Sequence, residues 1–214
     1  MPLVTFIPFY LKYGTIVTMV KTNPKFNLKN RGLTQSRGIY SSKELVKLLG
    51  HRTAIQRLVE ADKLLSLGGG FYSTPKLDPS VAQIQIIARY YPQAVISGIS
   101  ALIIHELSDE KLEKVTVDIP QEMKLSNRLL HARRIAKSRF FGIIQKDYFG
   151  EQIRIYDIER ALCDAYRIDR GALFFKALKR YLRDCKPDAA KIANYDKVLG
   201  TRVLTSLQQE FSGV

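Results

Sequence analysis

Two helical patterns and a three-glycine turn follow one another within residues 41–73, and this order constrains the fold more than any other feature. Ser41, with Glu44 three residues later, predicts a capping box at the start of a first helix. A second helix is predicted from about Arg52, because apolar residues recur there at helical spacing. Strand-like segments then flank Gly68–Gly70, as in a tight hairpin. Two helices followed by a hairpin predict a winged helix-turn-helix.

The second of these helices is predicted to be the recognition helix. Its polar side carries side chains of the kinds that contact bases and phosphates, with Gln56 and Arg57 the expected base contacts. Phosphate contacts are expected from Lys63 and from the start of the first helix, and wing contacts from Tyr72. Protein-interaction modules also use this fold, and such a helix face is often only solvated. The candidate DNA-binding residues of this segment are Ser41, Ser42, Lys43, Arg52, Thr53, Gln56, Arg57, Lys63 and Tyr72.

Positive charge is concentrated in the same part of the chain. Residues 1–75 contain eleven Lys or Arg and three Asp or Glu, a net charge of +8 out of +14 for all 214 residues. This excess favours a polyanionic partner, because cations that neutralise phosphates release counterions and strengthen binding. Basic ribosomal and membrane-surface proteins have a similar charge, but together with the predicted fold it favours double-stranded DNA.

A second basic stretch runs from Lys124 to Arg139. One interpretation is a strip of phosphate contacts beside the wing. The other is a solvated edge strand that its charges protect from pairing with another chain. The sequence favours neither, and Arg133 and Arg134 are kept as candidate DNA-binding residues.

The whole chain is predicted to be an α+β protein, with an N-terminal winged helix-turn-helix followed by a mixed α/β domain ending in a C-terminal helical segment. We divide it into an uncertain extension (1–19), the DNA-binding domain (20–76) and the α/β domain (77–214). Residues 1–18 are apolar, but prolines, a glycine and a lysine interrupt them, so neither a signal peptide nor a membrane helix is expected. An over-extended gene start, a disordered arm or an added strand are the alternatives. We expect a cytoplasmic protein with no membrane partner.

The best candidate for catalysis is Asp118 with the later Glu122-x-Lys124, which is similar to the core of metal-dependent endonucleases. In that core the aspartate and the Glu-x-Lys belong to neighbouring strands. Here a short segment containing Pro120 separates them, so they are not expected to converge on one Mg²⁺. A nuclease is therefore not favoured.

Asp157, Glu159 and Asp164 form a second acidic group that a metal site could use. The favoured interpretation is structural: acids at a helix N-terminus, with Arg160 and Asp164 paired one turn apart. His105 has no second ligand at metal-binding spacing. Two cysteines without ligand spacing predict neither a disulfide framework nor zinc. We expect no enzymatic activity, no cofactor and no metal.

Four blocks stand in this order along the chain: Gly69-Gly70-Phe71-Tyr72; Ile96-Ser97 with Ser100-Ala101-Leu102 and Leu107; Phe141-Gly142-Ile143; and Ile153–Asp164. Together they resemble the AbiEi antitoxin family of type IV toxin-antitoxin, or abortive-infection, systems. The resemblance covers residues 38–168. It implies a winged-helix domain that represses its own operon by binding inverted repeats. It also implies a C-terminal domain that opposes a nucleotidyltransferase-like toxin, with direct contact not assumed.

This chain departs from the family before Ser41, where its segment is short and polar instead of a fuller first helix. The winged domain is then either trimmed or completed by residues 20–37. The alternative function is a basic nucleic-acid-binding or protein-interaction adaptor without operator specificity. A toxin gene beside this one would separate the two hypotheses, whereas the sequence gives neither the operator nor the oligomeric state.

Overall fold

The computed structural model describes residues 38–125, 127–168 and 171–212, without the side chain of Phe211. The predicted extension (1–19) and the first part of the predicted winged domain (20–37) lie outside these residues. The described residues confirm the α+β class: a small antiparallel sheet with two helices comes first, a mixed five-stranded sheet follows, and helices end the chain.

The first part is a winged helix-turn-helix. Its three strands lie in the order β1-β3-β2, with every pair antiparallel. The capping box is confirmed, because the Ser41 hydroxyl accepts from the Glu44 amide at 3.3 Å and the Ser41 amide donates to the Glu44 carboxylate at 2.8 Å. The elements are β1 (Ile39–Ser41), α1 (Ser42–Leu49), α2 (Arg52–Glu60), β2 (Leu65–Gly68) and β3 (Phe71–Ser73).

The predicted hairpin between β2 and β3 is also present. Gly68, Gly69 and Gly70 have φ values of +77°, +61° and +80°. Side chains rarely tolerate this left-handed region, so the turn depends on three successive glycines. The segment from β2 to β3 is called the wing below.

A helix that packs against the winged part opens the remainder of the chain. Asp78, followed by Pro79, predicts a helix cap from the sequence. This cap is confirmed, since the Asp78 carboxylate accepts from the Ser80 amide at 2.8 Å. The Phe71 ring of the wing contacts the Tyr90 ring of this helix, with centroids 4.8 Å apart. Ile39 and Phe71 thus join the main hydrophobic core. The elements that follow the wing are α3 (Pro79–Tyr90), β4 (Val95–Ile96) and α4 (Gly98–Ile104).

The five-stranded sheet has the order β6-β5-β4-β8-β7. The pairs β5–β6 and β4–β8 are parallel, and the other two are antiparallel. The basic stretch supplies the edge strand β6, as the second interpretation of that stretch proposed. The strands and the short helix within this segment are β5 (Val115–Pro120), β6 (Leu130–Ile135), a 3-10 turn (Lys137–Arg139), β7 (Ile143–Tyr148) and β8 (Glu151–Tyr156).

Four helices complete the described chain. The Asp157 carboxylate accepts from the Arg160 amide at 2.9 Å, which confirms the predicted helix start. Within the described ranges, no helix is long and apolar enough to cross a membrane. The helices are α5 (Ile158–Ile168), α6 (Ala172–Asp184), α7 (Ala189–Leu199) and α8 (Val203–Ser212).

Two details of the predicted helices were wrong. The sequence pattern over Ser97–Leu107 predicts one helix, but α4 ends at Ile104, because Glu106 takes a left-handed conformation with φ +64°. The apolar pattern of the C-terminal helices also predicts that Val198 is on their apolar side, yet this residue is 58% exposed. Its helix buries Ile192 and Leu199 instead.

Candidate nucleic-acid interface

Helix α2 separates its apolar and polar side chains as the sequence predicted. Ala54, Ile55 and Leu58 are buried against the rest of the winged part. The opposite face is solvent-exposed and carries the four residues of α2 that are expected to contact bases or phosphates. These four residues are Arg52, Thr53, Gln56 and Arg57.

The two arginines of this face carry uncompensated charge. No acidic side chain in the described part of the chain lies within ion-pair distance of Arg52 or Arg57. Their side chains are therefore available to an external anion without first breaking an internal pair. This is the electrostatic condition that binding to a DNA phosphate or base edge requires.

The start of α1 uses its two serine hydroxyls within the protein. Ser41 forms the capping box, and the Ser42 hydroxyl donates to the carbonyl of Gly70 at 3.0 Å. The Ser42 amide donates to the same carbonyl at 2.7 Å. Ser42 thus joins α1 to the wing, whereas the neighbouring Lys43 is exposed and free to extend toward a phosphate.

Lys63 and Tyr72 occupy the hairpin and the segment leading to it, and both are half-buried. Lys63 follows α2, and its amide donates to the carbonyl of Leu58 at 2.9 Å. Tyr72 is the middle residue of β3, with Tyr40 and Ser66 as its neighbours on the adjacent strands. Both therefore belong to the same small unit as α2, and their contact with DNA stays a prediction.

Arg133 and Arg134 are candidate phosphate contacts under one of the two interpretations of the basic stretch, but adjacent strand residues face opposite sides of a sheet. Arg134 is exposed, and its Nε donates to the Met123 carbonyl at 3.4 Å. Arg133 instead donates from Nε to Asp118 at 2.7 Å and from Nη2 to Asp164 at 3.1 Å. Phosphate contact by Arg133 does not fit this geometry, because its guanidinium already pairs with two buried carboxylates.

The pairing of Arg133 is part of a buried ionic network. Arg160 and Asp164 are each 1% exposed and pair at 2.6 Å, which confirms the predicted contact one turn apart on α5. Burial lowers the pKa of Arg133, but its hydrogen bond and attraction to Asp118, with the charge of Asp164, outweigh that effect and raise its pKa overall. The network therefore holds Arg133 charged.

Aromatic and hydroxyl groups enclose this network. The guanidinium of Arg160 lies over the ring of Tyr156, 4.4 Å from its centroid, and 4.8 Å from that of Phe141. Ser97 donates to Asp118 at 2.9 Å, and the Tyr156 hydroxyl donates to it at 3.2 Å. Burial, with the nearby carboxylate of Asp118, raises the pKa of Tyr156. Only the Arg160–Asp164 pair of this network could be predicted from the sequence, because the other members lie far apart along the chain.

The candidate catalytic acids do not form a common site. Asp118 is buried in the network just described, whereas Glu122 is exposed. Asp157 and Glu159 bind Lys191 of α7 at 3.2 and 2.9 Å. Across the described residues, no group of three or more His, Cys, Asp or Glu side chains is arranged to hold a metal ion.

The isolated histidine and the cysteines have structural positions. His105 Nε2 lies 2.8 Å from the carbonyl of Tyr156, and burial lowers the pKa of its imidazole. Cys163 is buried, which raises the pKa of its thiol to about 12. Cys185 is half-buried, and both thiols are free. A thiol with so high a pKa is a weak nucleophile at neutral pH.

Comparisons with known proteins give a fold. No protein-family model matches the chain, and no curated protein does. The crystal structure of the RV2827C protein from Mycobacterium tuberculosis is similar, with a TM-score of 0.55 and 14% sequence identity. The similarity covers 78% of this chain and 68% of that one. At this identity it shows a shared fold, and the AbiEi resemblance stays a prediction.

Proposed function

We propose that this chain is a DNA-binding autorepressor and the antitoxin of a type IV toxin-antitoxin system. The observation that carries the DNA-binding half is the exposed face of α2, where Arg52 and Arg57 have no ion-pair partner among the described residues. The proposal includes no catalytic step, cofactor or metal. Its partners are double-stranded operator DNA and, functionally, a nucleotidyltransferase-like toxin.

The dimensions of α2 suit the major groove. An α-helix with its side chains is about 10–12 Å across, so it fits into a groove about 12 Å wide, and the nine residues of α2 extend about 13 Å along the helix axis. Thr53, Gln56 and Arg57 fall on one exposed side at spacings of three and four residues, so they can reach neighbouring base pairs together. The wing follows α2 directly and is positioned to contact the adjacent backbone.

Operator binding is tested with DNA from the chain's own upstream region. Footprinting on that region should show a protected inverted repeat, and gel shifts should show tighter binding there than to random DNA of equal length. Equal affinity for both DNAs would remove the repressor role and support the adaptor without operator specificity.

The antitoxin half rests on the family resemblance, and the structure shows what its motif residues do locally. Three of the four blocks meet at the buried network: Ser97 contacts Asp118, Phe141 covers Arg160, and the Gly142 carbonyl accepts from the Asp157 amide at 2.8 Å. A Cβ at Gly142, where φ is +68°, would lie 2.8 Å from the Tyr195 hydroxyl. These motif residues therefore stabilise the fold, and antitoxicity itself is tested by growth rescue.

The two halves can be separated by point substitutions in the full chain. Replacing Arg52, Gln56 and Arg57 with Ala should abolish repression of a promoter reporter, because it removes charge and base contacts from α2 without touching its buried side. The same variant should still rescue growth of cells that express the adjacent toxin. If wild-type protein fails to rescue, or if no toxin gene lies beside this one, the antitoxin half is wrong.

A further inference from the structure

The wing has an arginine from the five-stranded part of the fold packed against its tip. A Cβ built on Gly68 would lie 3.5 Å from each of the first three side-chain carbons of Arg128, Cβ, Cγ and Cδ. The aliphatic part of Arg128 thus lies along the backbone of a wing glycine, 60 residues earlier in the chain.

The charged end of Arg128 remains available. The residue as a whole is exposed, and no acidic side chain of the described ranges lies within ion-pair distance of it. An arginine commonly buries its carbon chain on an apolar surface and keeps its guanidinium in water. Arg128 differs in this from Arg133, five residues later, whose guanidinium is held by Asp118 and Asp164.

The wing itself is fixed on two sides. Gly70 accepts two hydrogen bonds from Ser42 of α1, and a Cβ at Gly70 would lie 3.1 Å from the Ser42 hydroxyl. Gly68 is covered by Arg128. The turn between them is therefore held at a defined place, with a cation beside it, next to the helix proposed to enter the major groove.

We propose that Arg128 binds the DNA phosphate backbone beside the wing, so that the DNA interface continues from the winged part onto the segment before β6. This inference rests on the proposed function. A guanidinium suits the role because it presents a planar fork of donors to phosphate oxygens and is always charged. Such a contact strengthens binding without selecting a sequence.

The test is Arg128→Gln in the full chain. Glutamine keeps Cβ, Cγ and Cδ, the three carbons that face Gly68, and removes only the guanidinium. Affinity for operator and for random DNA is measured at several salt concentrations between 50 and 200 mM. Losing one phosphate contact should reduce the slope of log affinity against log salt by about 0.9, and with it the affinity ratio between those salts by about 3.5-fold. The loss should be similar on both DNAs.

Matched variants separate charge from shape. Arg128→Lys should keep the slope near that of wild type, and Arg128→Glu should weaken binding more than Arg128→Gln. Arg183→Gln is the control, because Arg183 is an exposed arginine on α6 that pairs with the neighbouring Asp184. This control should leave the slope unchanged.

The outcomes distinguish this inference from the function on which it rests. If wild-type protein binds its operator and Arg128→Gln keeps the wild-type slope, Arg128 is not a phosphate contact and the proposed repressor stands. If Arg183→Gln lowers the slope as much as Arg128→Gln, the effect is one of net charge and the inference is overturned. If wild-type protein does not prefer its operator, but Arg128→Gln still lowers the slope of log affinity against log salt, the phosphate contact holds and the repressor role is wrong.

Discussion

Arg57 on α2 and Arg133 on β6 are both arginines in basic stretches, yet their surroundings differ. Arg57 is exposed and has no ion-pair partner in the described chain. Arg133 forms ion pairs with Asp118 and Asp164, which are each 1% exposed. A count of basic residues treats the two alike. The comparison shows that the side chains around an arginine in the fold, and not its place in a basic stretch, decide whether its charge pairs within the protein or remains available to a ligand.

The largest effect expected from this difference is on stability. Asp164→Asn should lower the free energy of unfolding by about 3–5 kcal/mol, because it leaves the buried guanidinium of Arg160 without its closest counter-charge. Urea unfolding followed by circular dichroism measures this. Asp184→Asn, at an exposed aspartate of α6, is the control and should change stability by no more than about 0.5 kcal/mol. Equal losses in the two variants would show that the network contributes nothing particular.

The next effect separates Arg133 from its neighbour Arg134. Arg133→Gln should reduce stability by about 1.5–3 kcal/mol, since it removes hydrogen bonds to two charged groups, and should leave the salt dependence of DNA binding unchanged. Arg134→Gln should leave stability nearly unchanged and lower the salt slope by about 0.9 if it contacts phosphate. A lower salt slope for a folded Arg133→Gln protein would contradict the structural role assigned to Arg133.

On the other side of the comparison, Arg57→Ala should act on binding alone. We expect a cost of about 1–3 kcal/mol on the operator and much less on random DNA, because a base contact carries sequence preference. Gel shifts with both DNAs measure the difference. Unfolding should be unaffected, as Arg57 makes no described ion pair. A similar loss on both DNAs would reassign Arg57 to phosphate contact.

The smallest effect concerns His105 and pH. Its folded-state pKa is lowered, mainly by burial, so the unfolded chain binds the proton first as pH falls. Stability should therefore decrease as pH falls below about 6.5, the ordinary value, toward the lower folded pKa. Urea midpoints at pH 7.5 and 5.5 should show this decrease, and His105→Gln should reduce the difference. An identical pH dependence in wild type and variant would exclude His105 as its source.

Local signals explain why part of the fold could be predicted. The capping box at Ser41, the Asp78 cap and the glycine hairpin each depend on residues only a few positions apart. The polar face of α2 follows from helical spacing alone. For the same reason, the candidate DNA-contacting side chains of α2 could be named before the structure.

Long-range pairing explains what could not be predicted. Arg133 is matched with Asp118 by the parallel register of β5 and β6, and Asp164 comes from a helix 31 residues later. No local sequence pattern predicts the register in which these two strands pair. The contact between Arg128 and Gly68 spans 60 residues and is equally invisible in the pattern.

The packing of Phe71 on Tyr90 also has a consequence for turnover in the cell. The wing shares its hydrophobic core with α3, so the apolar contacts continue across the turn that precedes α3. We expect this shared core to make the two parts unfold together, and a protease that captures the unfolded chain would then destroy both at once. Under the proposed function, degradation of one molecule would remove the repressor and the antitoxin in the same step. Synthesis of new antitoxin would therefore begin when protection against the toxin is lost.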